Sequence, residues 1–127
     1  MRTPLCLLSL LLALGLTACG AQPAAAPAVE TPTIMLIVRD IQPGLTEEEM
    51  TRRYRARMPD FRALDGLIQK YYSFDKKTGT YAGIYLWRDQ AALDAYLASD
   101  LKKTIGAAYE LKGPPTVERF EVIDLLH

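Results

Sequence analysis

A run of six apolar and β-branched side chains, Thr33-Ile34-Met35-Leu36-Ile37-Val38, constrains the fold more than any other segment. It is too short for a helix and does not alternate, so it predicts a strand covered on both faces. The residues after it read as strand, helix, strand, strand, helix, strand. Pro43-Gly44 makes a turn, and Thr46 opens a helix with Glu49 three residues on as a capping box. Leu45 and Met50 form the staple, Met50, Tyr54 and Met58 share one stripe, and Pro59 is expected to end the helix. Strands follow at 67–74 and 80–87, joined by a turn in which Gly79 suits a left-handed position. Asp89 caps a second helix whose Leu93, Tyr96 and Leu97 share a face. Ser99 opens a short helix through Ile105 that stops at Gly106, and a last strand is expected at 116–124, after Pro114-Pro115.

This order, βαββαβ, predicts an α+β, ferredoxin-like domain: a four-stranded antiparallel sheet with helices on one face. A lone sheet of this kind has a polar open face, yet the first strand is apolar on both sides. The simplest cover is the same face of a second copy, which makes a two-fold homodimer with a barrel between the two sheets.

The domain begins near residue 33. Upstream, Arg2 precedes an apolar stretch at 5–16 that is shorter than the roughly 18 residues of a membrane span, so it reads as the core of a signal peptide at 1–18. Leu16-Thr17-Ala18-Cys19 has the form of a bacterial lipobox, with Cys19 as the lipidated residue. Residues 19–32, rich in alanine and proline, read as an extended tether. The expected address is the cell envelope, anchored to a membrane through lipid. Gly20 after Cys19 favours the outer membrane in a bacterium with two membranes.

Fifteen basic and fifteen acidic residues give no net charge and no basic stripe, which argues against a nucleic-acid partner. The chain has one histidine, His127, and two cysteines, Cys6 and Cys19. Most zinc sites and every histidine-based nucleophile are thereby nearly excluded, and the domain offers no histidine as an axial haem ligand.

The segments Gly66-Leu67-Ile68-Gln69-Lys70-Tyr71-Tyr72 and Thr78-Gly79-Thr80-Tyr81-Ala82-Gly83-Ile84-Tyr85-Leu86-Trp87 resemble the YdhR-like monooxygenase family. Asp89, the Ala95-Tyr96 pair, residues 103–109 and Gly113-Pro114-Pro115 continue the likeness, so it spans about 33–124. The family lies within the dimeric α+β barrels that include antibiotic-biosynthesis monooxygenases. The resemblance implies a homodimer and oxygenation of a small aromatic, quinol-like ligand without a cofactor. It transfers no catalytic set.

Strand parity supplies candidates instead. Pairing Phe74 with Tyr81 sets Tyr72 opposite Gly83, Lys70 opposite Tyr85 and Ile68 opposite Trp87. Ile34, Leu36, Val38, Ile84 and Leu86 are assigned to the helix-covered face. Met35, Ile37, Arg39, Lys70, Tyr72, Tyr81, Tyr85 and Trp87 are assigned to the open face, joined by Val117, Arg119, Glu121 and Ile123. Lys70, Tyr72 and Tyr85 are the catalytic candidates, and Arg39, Trp87 and Arg119 the substrate-binding ones. Lys70 or Glu121 would act as the base that a phenolic substrate needs. Two readings fit these residues: an oxygenase, or a non-catalytic envelope lipoprotein that binds a hydrophobic small molecule or a partner protein.

Overall fold

The computed structural model describes residues 30–126, together with Gly15 and Gly20. The expected signal segment, the lipidation site Cys19, most of the tether and His127 lie outside the described residues. The elements are β1 (Ile34–Ile41), α1 (Glu47–Arg62), β2 (Leu67–Asp75), β3 (Thr80–Trp87), α2 (Gln90–Leu97), α3 (Asp100–Lys103), α4 (Ile105–Ala108) and β4 (Thr116–Glu121). The strands form one sheet in the order β2-β3-β1-β4, with every neighbouring pair antiparallel. This is the ferredoxin-like arrangement expected from the element order.

Local chemistry sets the helix starts. Thr46, Asp89 and Ser99 accept hydrogen bonds from the amides of Glu49, Ala92 and Lys102, at 3.2, 2.8 and 3.3 Å. Glu49 does not return to Thr46 to close the capping box. Its carboxylate holds Arg52 and Arg53 instead, at 2.6 and 2.7 Å, and these guanidinium groups pull it down to about 2. Pro59 does not end α1, which continues to Arg62. A proline removes only one helical hydrogen bond here, and burial of Phe61 against Tyr85 and Tyr96 holds the last turn in place. Gly106 lies inside α4 rather than after a helix end.

The core sits between the sheet and the helices. Ile34 and Leu36 of β1, Tyr85 and Trp87 of β3, Phe61 of α1 and Ala92, Leu93 and Tyr96 of α2 form one cluster. Trp87 and Leu93 are its most enclosed members, at 0% and 1% exposure. Truncating either would cost several kcal/mol, roughly 2–5 for Leu93→Ala.

The register overturns the expected faces. Ile34 lies opposite Trp87, Leu36 opposite Tyr85 and Val38 opposite Gly83. Lys70 lies opposite Tyr85 and Tyr72 opposite Gly83, as the hairpin pairing requires. Lys70, Tyr72, Tyr81, Tyr85 and Trp87 therefore face the helices with Ile34 and Leu36, and Ile84 and Leu86 lie on the open face beside Met35 and Ile37. β1 and β3 are apolar on both sides, so composition alone leaves their relative parity free, and a one-residue choice moves every side chain across the sheet. Ile68 is not opposite Trp87 either. A bulge between Leu67 and Gln69 gives that place to Leu67. A second irregularity, between Val38 and Ile41, contains Asp40 in a left-handed conformation (φ 59°) and brings Ile41 opposite Tyr81.

Gly66 also adopts a left-handed conformation (φ 78°), and a Cβ there would lie 2.4 Å from the Ala92 Cβ. Gly79 has a similar φ of 69° with open space around it. Gly79→Ala should lose about 1 kcal/mol, the backbone cost alone. Gly66→Ala should lose clearly more, about 2–4 kcal/mol, because α2 must also move off the sheet. Urea unfolding of both variants checks the order, and equal losses would contradict this packing.

Candidate functional site

The helix-covered side of the sheet does not close completely. Between β1, β2 and β3 on one side and α1 to α4 on the other lies a cavity of about 530 Å³, within the range of small-molecule sites. It is built within a single chain, not between two sheets. Six of the seven tyrosines line it: Tyr54, Tyr72, Tyr81, Tyr85, Tyr96 and Tyr109. Leu36, Val38, Ile41, Met50 and Ile105 supply aliphatic wall.

Each tyrosine reaches the cavity for a local reason. Tyr72 and Tyr85 stand on one face of the β2–β3 hairpin. Tyr54 comes one turn after Met50 on the inner stripe of α1 and stacks on Tyr72, with ring centroids 4.8 Å apart. Tyr96 rises from the buried face of α2 and packs 5.8 Å from Tyr85. Tyr109 follows α4, where the chain is tied back to the β1–α1 loop by the Gly44 amide on the Glu110 carbonyl, at 2.7 Å.

Lys70 is the charged group of the inner wall. Its Nζ lies 3.4 Å from the centroid of Phe61, 4.2 Å from that of Tyr72 and 4.5 Å from that of Tyr85. Three ring faces replace water around the ammonium, and cation–π attraction offsets part of the desolvation. Among the described residues no carboxylate pairs with it. Burial lowers its pKa to about 7, and the positive charge of Arg57 adds to that effect. Arg57 is half-buried on α1. Its Nη2 donates to the Leu101 carbonyl and to the Thr104 hydroxyl, at 3.0 Å each, while its Nε is buried without a partner.

The hydroxyls of Tyr72 and Tyr109 are buried without a hydrogen-bond partner. Burial pushes Tyr72 and Tyr96 up to about 12 and raises Tyr85 and Tyr109 as well. All four remain O–H donors at neutral pH. The site thus presents an amine that titrates near neutrality and unsatisfied donors in an apolar enclosure. That combination can accept a proton from an acidic ligand and stabilise the resulting anion.

Of the residues singled out in the sequence, Lys70, Tyr72 and Tyr85 are brought together here. Arg39, Trp87 and Arg119 are not. Arg39 lies on the open face and pairs with Glu118 at 3.0 Å. Trp87 is a core residue, stacked 5.1 Å from Tyr96. Arg119 is held at the sheet edge by Gln90, its Nε 2.7 Å from the side-chain oxygen. Glu121, the other candidate base, has a largely exposed side chain 3.9 Å from Arg119 and lies outside the cavity lining. The sequence reading missed Tyr54, Tyr96, Tyr109, Arg57 and Lys102. Tyr54 and Tyr96 carry a helical periodicity that signals core packing equally well. Lys102 sits in a four-residue helix and Tyr109 directly follows another, and neither segment is long enough to show a period.

Between about 7 and 10.5 the folded chain carries fewer protons at Lys70 than the unfolded chain does. Its contribution therefore makes the unfolding free energy rise with pH across that window. The raised tyrosines act oppositely above their ordinary value, so the wild type is best compared with Lys70→Met. The difference in stability should move in favour of the wild type from pH 7 to 10, and a flat difference would contradict the shift.

The fold has many solved relatives. The NE2512 protein of unknown function from Nitrosomonas europaea superposes with a TM-score of 0.61 at 20% identity, covering 77% of this chain and 96% of that one. An antibiotic biosynthesis monooxygenase assigned as putative, from Caulobacter crescentus, gives 0.60 at 19% identity, covering 73% and 92%. SnoaB, a cofactor-independent oxygenase from Streptomyces nogalater, gives 0.57 at 15% identity, covering 76% and 97%. At these identities the likeness establishes the fold alone. No curated protein matches the chain. The family model described as "Putative mono-oxygenase ydhR" matches residues 39–123, from the end of β1 to beyond β4. With well over half of its sequence matched, the chain belongs to the YdhR mono-oxygenase family.

Proposed function

We propose that the protein is a cofactor-independent oxygenase for small, electron-rich phenolic compounds, with Lys70 as its general base. One observation carries this reading: a lysine amine with a pKa near 7, enclosed by three aromatic rings, in the wall of a tyrosine-lined cavity of about 530 Å³. Family membership and a fold shared with SnoaB agree with it.

Neutral Lys70 takes the phenolic proton. The ammonium so formed, with the Tyr72 and Tyr109 hydroxyls, stabilises the anion. The anion gives one electron to O₂, and the radical pair joins as a carbon–oxygen bond at the activated position. Loss of water from the hydroperoxide breaks the oxygen–oxygen bond and leaves a carbonyl. The substrate loses two hydrogens and gains one oxygen atom, the second oxygen leaves as water, and no external reductant is needed. The protein contributes orientation, proton transfer and charge stabilisation.

The test is oxygen uptake with 1,8-dihydroxyanthrone and 1-naphthol as probes. The expected result is one O₂ per carbonyl formed, with kcat/KM rising with pH to a plateau above about 7, since only the neutral amine is a base. Lys70→Met should lower kcat/KM by roughly 100-fold or more. An undiminished rate in that variant, or binding of probes without any oxygen uptake, would overturn the assignment.

The open face of the sheet supports a homodimer. Met35, Ile37, Ile84 and Leu86 lie there half-buried, with Tyr71 and Phe120 exposed at 48% and 45%. Stacking two such faces would bury an apolar patch of the kind that marks an interface. The lipobox at 16–19 supports an anchor in the bacterial envelope, the outer membrane by the Gly20 criterion. Native mass spectrometry of detergent-extracted protein should show a dimer carrying acyl mass. Ile84→Lys should give a monomer and Cys19→Ser an unacylated chain. A wild-type monomer, or a chain without acyl mass, would remove the corresponding proposal.

A further inference from the structure

The electrostatics of the cavity extend the assignment of the site to a ligand class, and this step rests on the cavity being where substrate binds. Among the described residues no aspartate or glutamate lines it, but two lysines do, Lys70 from the sheet wall and Lys102 from α3 in the helix wall. Behind them stands Arg57, half-buried and without an ion-pair partner among the described residues. The buried hydroxyls of Tyr72 and Tyr109 have no hydrogen-bond partner among the described residues.

Such a cavity has an excess of positive charge and of unsatisfied donors, within walls that are otherwise aromatic and aliphatic. A neutral phenol would engage Lys70 and leave Lys102 unused. A carboxylate placed across the cavity would meet the second cation and would supply acceptors that the protein lacks. We propose that the site selects hydroxyaryl carboxylates, with the phenolic oxygen at Lys70 and the carboxylate at Lys102. Lys102 is then a specificity residue: it reads the acid group and takes no part in proton transfer.

The experiment compares 6-hydroxy-2-naphthoate with 2-naphthol, which differ only in the carboxylate, carried on the ring far from the hydroxyl. Binding to the intact chain is followed by calorimetry under nitrogen. The naphthoate should bind about tenfold or more tightly than the naphthol. Lys102→Met should bring the two affinities together by weakening the naphthoate alone. Lys103→Met, an exposed neighbour on the same helix, should leave the preference unchanged. Equal affinities in the wild type, a preference that survives Lys102→Met, or no binding of either probe would overturn the proposal. Oxygen uptake is read separately. A carboxylate preference without uptake keeps the ligand class and removes the oxygenase, whereas uptake with anthrone and no carboxylate preference does the reverse.

Discussion

A lysine amine packed against three aromatic rings, with no carboxylate to balance it, costs free energy that most folds avoid. Cation–π attraction in a desolvated setting returns about 2 kcal/mol or more, and the long apolar stem of Lys70 contributes packing. The remainder appears as a pKa lowered to about 7. The rest of the site follows from that placement. Phe61 must be buried for its ring to reach Lys70, which requires α1 to run past Pro59. Tyr72 must be stacked by Tyr54, which fixes the inner stripe of α1 over β2. Arg57 sits on the same helix, and its charge pushes Lys70 further toward the neutral form.

The sheet register determines which chemistry is enclosed. Because Leu36 pairs with Tyr85 and Lys70 pairs with Tyr85 from the other side, Lys70 and the aromatic residues of β2 and β3 converge under the helices beside the aliphatic residues of β1. The aliphatic set of Met35, Ile37, Ile84 and Leu86 is left on the outer face. One sheet thus separates an aromatic, tyrosine-lined interior from an apolar exterior, the face on which a second copy is proposed to dock. The two faces are built from alternate residues of the same strands, so neither can be altered without regard to the other.

Much of the architecture is legible in the sequence because local rules decide it. Thr46, Asp89 and Ser99 cap helices by short-range hydrogen bonds, and the turn at Gly79 fixes the hairpin register, so Lys70, Tyr72 and Tyr85 group correctly. Two things are not legible. β1 and β3 are apolar on both sides, so nothing local says whether Tyr85 or Leu86 faces the helices. Pro59 breaks the pattern of α1 locally, but the burial of Phe61, a tertiary contact, carries the helix through it. The same limit hides Tyr109, which adjoins the tie between Gly44 and Glu110, and Lys102, which lies in a helix too short to show a periodicity.

The protein that emerges belongs to the YdhR mono-oxygenase family and carries its candidate base on a strand, in a tyrosine-lined cavity without a histidine. The proposed proton transfer depends on the charge state of one amine. The most direct test is therefore the titration of Lys70 in the folded chain, followed by the ¹³Cε resonance of labelled lysine, with Lys70→Met to assign the signal. A midpoint near 7 is the result predicted. A midpoint at the ordinary lysine value of 10.5 would mean that the amine is solvated and charged, and would remove the base from the site.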